Sequence, residues 1–99
     1  MTGLRVGIAG YGAIGREVGR RLLAGVDGVR LAAIAVRNPD EVAAPADGVA
    51  VTDAARLPAL VDVVLECAPA AAFLSILEPA LCAGRTAVVL SCAALLRYE

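Results

Sequence analysis

Leu4, Val6 and Ile8 alternate with Arg5 and Gly7 as far as Ala9, a two-residue period that predicts a strand ending abruptly at Gly10. From Ala13 the period changes. Ile14, Val18 and Leu22 recur every four residues while Arg16, Glu17, Arg20 and Arg21 take the opposite side, so a helix with one apolar stripe is expected, closed by Gly25. Glu17 and Arg21 stand in the orientation that favours an ion pair along a helix. Gly15 and Gly19 share this helix and each costs about 1 kcal/mol relative to Ala. Close approach of the helix to a sheet is the expected compensation.

Val29–Val36 is nearly continuous in apolar residues and predicts a second strand, broken by Asn38-Pro39-Asp40. A weak helix is expected within Asp40–Gly48, then a very short third strand at Val49–Val51 and a helical turn from Thr52-Asp53 that ends before Pro58. Val61–Glu66 is almost wholly apolar, as a strand buried on both faces must be, and belongs in the centre of the sheet. A helix is expected from Pro69 through Leu74, Leu77 and Leu81 to Gly84, with Pro79 imposing a kink or break near Ser75–Glu78. Thr86–Leu90 completes the set as a fifth strand, and Ser91 begins a new turn or helix. Alternating strands and helices of this kind predict one α/β domain over residues 1–99, a Rossmann-type doubly wound parallel sheet of strand order 3-2-1-4-5. Such sheets bind ligands at the carboxyl ends of their strands, where the connections from strands 1 and 4 diverge.

Composition narrows the possibilities. At 99 residues and 60% apolar content the chain can bury a core, but it is short for a complete two-substrate enzyme. The net charge of −1 comes with arginines scattered along the chain, which lacks the footprint of a nucleic-acid binder. No apolar run approaches the roughly 20 residues of a spanning helix, and no secretory pattern opens the chain, so no membrane partner and a cytoplasmic location are expected. Cys67, Cys82 and Cys92 sit in apolar contexts without metal-binding spacing and without any histidine, and are read as reduced core residues.

The chemistry is concentrated in Gly10-Tyr11-Gly12-Ala13-Ile14-Gly15, a G-x-G-x-x-G between a strand and a helix. Gly10 permits the tight turn, Gly12 leaves room for a pyrophosphate, and Gly15 lets the helix lie against the strand. Unpaired amides and the positive end of the helix dipole then meet phosphate charge. The pattern alone is weak, and its context makes a nicotinamide dinucleotide, NAD or NADP, the expected ligand.

Where NAD enzymes usually place an acid on the adenosine ribose, the second strand ends in Val36, followed by Arg37 and Asn38. The Arg37 guanidinium can pair with a 2′-phosphate or stack on adenine, so either cofactor is admitted. Cys67-Ala68-Pro69 and Ser91-Cys92-Ala93 end the fourth and fifth strands, where their backbones can meet the ribose and nicotinamide. A nucleophilic Cys92 would need a basic partner that a chain without histidine lacks, so packing is its expected role. Glu66 closes the fourth strand as an acceptor for backbone amides, and little supports a general-base role for it.

Three stretches together carry a family likeness: Arg5–Gly15, Val61–Ala68 and Leu90–Leu95. They resemble the N-terminal domain of L-aspartate dehydrogenases, relatives of the homoserine dehydrogenase NAD-binding domain. Val36 departs from the acid that family members often carry, and Ala93 replaces a common glycine. The resemblance implies NAD(P)-dependent oxidation of L-aspartate to iminoaspartate, hydride passing from the substrate Cα to nicotinamide C4. It implies that the substrate domain and the catalytic histidine are absent from this chain, which by itself binds cofactor and supplies no catalytic residue. It implies also a homodimer, formed in related enzymes largely through that absent domain. Two other functions remain open: a stand-alone nucleotide-binding or sensing module, and a dehydrogenase acting on homoserine or another small molecule.

Overall fold

In the computed structural model, which describes residues 3–67 and 73–89, five parallel strands form one sheet in the order β3-β2-β1-β4-β5. They are β1 (Leu4–Ala9), β2 (Val29–Ala35), β3 (Ala50–Thr52), β4 (Val63–Glu66) and β5 (Thr86–Val89), with α1 (Ala13–Ala24) after β1 and α2 (Phe73–Cys82) before β5. This is the expected Rossmann-like α/β fold.

The core lies in two layers, one on each face of the sheet. Ile8, Leu31, Ile34 and Val49 form the layer beneath α1, with Val18 and Leu22 of the helix packed against them. Ala9, Ala33, Ala35, Leu57, Val61 and Val64 form the other, with Ile76 of α2. A register shift between Val6 and Gly7 pairs Val6 with Leu31 but Gly7 with Ala33, skipping Ala32. Leu31 and Ile34, three apart, therefore share the α1 face, where strict alternation would have separated them.

Several expected elements changed. The weak helix within Asp40–Gly48 is absent: only a 3₁₀ turn forms, at Pro39–Glu41. Pro45 interrupts the segment, and Val42 and Ala46 are drawn individually onto the core. The third strand starts at Ala50 because the Val49 amide closes a turn on the Ala46 carbonyl (3.2 Å) and leaves the ladder to Ala50–Thr52. Pro58 does not end the preceding turn. It stands early in a second 3₁₀ turn, Leu57–Ala59, where its missing amide is harmless. Asp53 launches that stretch, its carboxylate accepting the Arg56 amide at 2.9 Å.

The fourth strand is shorter than its apolar run, because Asp62 is committed to Arg5. Its carboxylate accepts the Arg5 amide (2.9 Å) and the Arg5 guanidinium (3.1 Å). These bonds, the side-chain ones first, hold the Asp62 carboxyl below its ordinary 3.8. A depressed carboxyl stabilises the fold above its unfolded pKa, and that contribution fades as pH falls through the folded value. Asp62→Asn is accordingly expected to lower the melting temperature at neutral pH, with the gap to wild type closing under strong acid. Thermal melts along a pH series check this, and a gap independent of pH would refute the clamp.

Of the kink or break expected near Ser75–Glu78, the break does not occur: α2 runs as one helix through Pro79. Pro79 forfeits one backbone bond, but the Ala83 amide reaches its carbonyl at 3.1 Å and buried Ile76 fixes the helix to the sheet. The start expected at Pro69 lies outside the described residues. On α1, Glu17 pairs with Arg21 as expected (3.1 Å) and also with Arg20 (2.7 Å), which together hold its carboxyl at about 2. Cys67 is partly buried against the α1-side core, whereas Cys82 is exposed, so it is no core residue. No described helix is long and apolar enough to cross a membrane.

Candidate functional site

Three backbone bonds continue the ladder past the strand ends. The Gly10 amide donates to Ala35 (3.0 Å), Val36 to Thr52 (2.9 Å) and Cys67 to Ala9 (2.9 Å). Gly10, Val36 and Cys67 consequently stand level along the carboxyl edge, with the glycine turn between β2 on one side and β4 on the other. This is the point at which the strand order reverses.

Each glycine of the turn does separate work. Gly10 adopts φ +92°, a conformation side chains rarely take. At Gly15 a Cβ would overlap the Gly10 carbonyl oxygen and stand 3.3 Å from Ile8 Cγ2, so the helix touches the strand end through bare backbone. Around Gly12 the space is open among the described residues: chain neighbours apart, a Cβ there would meet nothing within 4 Å. The first amide of the helix to find a carbonyl is Arg16, on Gly12 at 2.8 Å. The amides of Ala13, Ile14 and Gly15 precede that bond and border the open space, as an anion cradle requires. The N-cap residue, Gly12, offers no side chain to cap this end.

Ile14 departs from the expected stripe: it is 57% exposed, because the first turn of α1 extends beyond the end of β1. The buried stripe is instead Gly15, Val18, Gly19 and Leu22, two of its members glycine. Gly19 serves the close helix-to-sheet approach expected of it and also makes room for a side chain of the turn. Its nearest neighbour is the Tyr11 ring, 3.2 Å from where a Cβ would be, with Ile8 Cδ1 next at 3.5 Å. Tyr11 folds back along α1, and the Arg16 guanidinium lies 4.9 Å from its ring centroid. A tyrosine eight residues before a glycine was the available signal in the sequence.

At the end of β2, Val36 packs into the α1-side core while Arg37 and Asn38 are exposed. Arg37 takes part in no ion pair among the described residues. The Asn38 carbonyl accepts the Glu41 amide at 3.0 Å, opening the first 3₁₀ turn. Glu66, fully buried, pairs in register with Ala9 and with Val89, and so sits at the edge between β1 and β5. Burial, and then the Glu66 carboxylate, push the Cys67 thiol above its ordinary 9.0, which disfavours the nucleophilic thiolate. Ala68, Pro69, Ser91 and Cys92 lie outside the described residues.

A family model described as "Homoserine dehydrogenase, NAD binding domain" matches residues 10–99. The chain is 42% identical to L-aspartate dehydrogenase 3 of Bordetella bronchiseptica over 96% of its own length and 37% of that protein's. It is 40% identical to L-aspartate dehydrogenase of Bradyrhizobium diazoefficiens, over 94% of this chain and 34% of that one. It thus spans about a third of the length of the curated relatives it matches. Among solved structures, scyllo-inositol dehydrogenase from Lactobacillus casei with bound cofactor NAD(H) and scyllo-inositol superposes with TM-score 0.73 at 22% identity, covering 97% of this chain and 32% of that one. Myo-inositol 2-dehydrogenase from Lactobacillus plantarum superposes with TM-score 0.73 at 24% identity, over 89% of this chain and 28% of that one. These two likenesses bear on the fold alone.

Proposed function

Because the chain belongs to the homoserine dehydrogenase NAD-binding domain family, we propose that it is the dinucleotide-binding part of an L-aspartate dehydrogenase, oxidising aspartate to iminoaspartate with NAD or NADP. The open space at Gly12, bordered by amides that precede the first helical bond, carries this reading. It suits a diphosphate in shape and in charge. The identity to two L-aspartate dehydrogenases supports the substrate.

In this assignment Gly12, Ala13, Ile14 and Gly15 hold the pyrophosphate by their backbone. Gly10 shapes the turn and Tyr11 stays on the helix. Arg37 and Asn38 are assigned to the adenosine ribose, and Cys67, Ala68, Pro69, Ser91 and Cys92 to the nicotinamide half. When bound, the nicotinamide supplies the hydride-accepting chemistry, and this chain contributes position and electrostatics. The substrate-binding groups and the homodimer interface are assigned to a further part of the enzyme, and its compartment to the cytoplasm.

Calorimetric titration of the chain with NADH and NADPH tests the assignment, and failure to bind either would overturn it. Arg37 is the lever on cofactor choice, since its exposed guanidinium is not engaged in an ion pair. Arg37→Ala is expected to weaken NADPH binding about tenfold, roughly 1.4 kcal/mol, and NADH binding far less. Equal losses for both would exclude a 2′-phosphate contact.

A further inference from the structure

We propose that Tyr11 is a positioning residue of the dinucleotide site: its ring, seated on Gly19, holds the phosphate turn in the shape that accepts a ligand. This rests on the dinucleotide reading of the turn. Tyr11 is the only residue between Gly10 and Gly12, so its side chain alone can restrain a segment flanked by the two residues that lose most freedom on ordering. The ring is committed on several sides. Its edge and hydroxyl lie 3.2 and 3.3 Å from the Cβ position of Gly19. Its body packs against the core around Ile8, and the Arg16 guanidinium lies 4.9 Å from its centroid.

The side chain is thereby tied to the helix over about one turn, from Arg16 to Gly19, and the backbone at Gly12 is left clear. A cradle ordered before binding spares the ligand the cost of ordering it. Gly19 is the other half of the device, because a methyl there would already press on the ring at 3.2 Å and a larger side chain would take the seat.

The test is a double-mutant cycle on the chain, read by NADH titration and by thermal melting. Tyr11→Ala is expected to weaken NADH binding about tenfold while the domain stays folded. Tyr11→Phe keeps the ring and is expected to bind as wild type. Gly19→Leu is expected to lower both affinity and melting temperature in the wild-type chain. In the Tyr11→Ala background its effect on melting temperature reverses, because the seat is empty and leucine is the better helix former.

A Tyr11→Ala chain that binds like wild type overturns the proposal. So does a Phe variant as weak as the Ala variant, or a Gly19→Leu effect of one sign in both backgrounds. In each of those cases wild type still binds NADH. A wild-type chain that binds no NADH overturns the site reading itself, and this inference with it.

Discussion

Gly12→Leu is expected to abolish dinucleotide binding and to leave the domain folded. Position 12 has φ −86° in an extended conformation, which leucine adopts without strain. Chain neighbours apart, no described residue lies within 4 Å of the added Cβ, so nothing in the described fold resists the side chain. The cost is confined to the helix N-cap, where glycine is preferred over leucine by no more than about 1 kcal/mol, a shift of a few degrees in melting temperature. Leucine would fill the space assigned to the diphosphate, and the amides of Ala13 and Ile14 would lose their ligand. A loss of at least about 100-fold in NADH affinity, near 2.7 kcal/mol, is expected. Calorimetry beside a thermal melt decides it. A leucine variant that binds normally removes the phosphate turn from the mechanism.

Gly15→Val, three residues further on in the same motif, has the opposite signature. Its Cβ runs into the Gly10 carbonyl oxygen, a backbone atom that cannot yield without opening the turn. Behind it, Ile8 Cγ2 at 3.3 Å leaves no slack. Overpacking of this kind costs about 1–3 kcal/mol, which in a domain of this size lowers the melting temperature by roughly 5–20 °C. Binding falls as well, because Gly10 and the first turn of α1 are displaced together. Thermal melting separates the two glycines: one variant loses its ligand with the fold kept, the other loses stability first. A Gly15→Val chain as stable as wild type would show that the helix does not need bare backbone here.

The five strands, their order and the glycine turn were legible in the chain because each depends on short-range pattern. Alternation gave Leu4–Ala9, the four-residue period gave α1, and a nearly unbroken apolar run gave β4 as an interior strand, although the central place expected of it is taken by β1. The ends of elements were less legible. Val61 carries the pattern of a strand residue, yet the strand begins at Val63 because Asp62 answers to Arg5, 57 positions away. Pro79 reads as a break, but a helix held to the sheet by Ile76 absorbs the missing bond.

The sequence by itself determined the fold class, the topology and the location of the glycine turn, since residue type and spacing suffice for each. The motif already set Gly12 apart from Gly15, and only the tertiary structure decided what each glycine faces, above all that Gly19 seats the Tyr11 ring. Gly12, Gly15 and Gly19 are identical letters whose Cβ positions point into open space, into the Gly10 carbonyl and into the Tyr11 ring. The difference lies in what surrounds each one, and those neighbours are brought together only when α1 closes over β1.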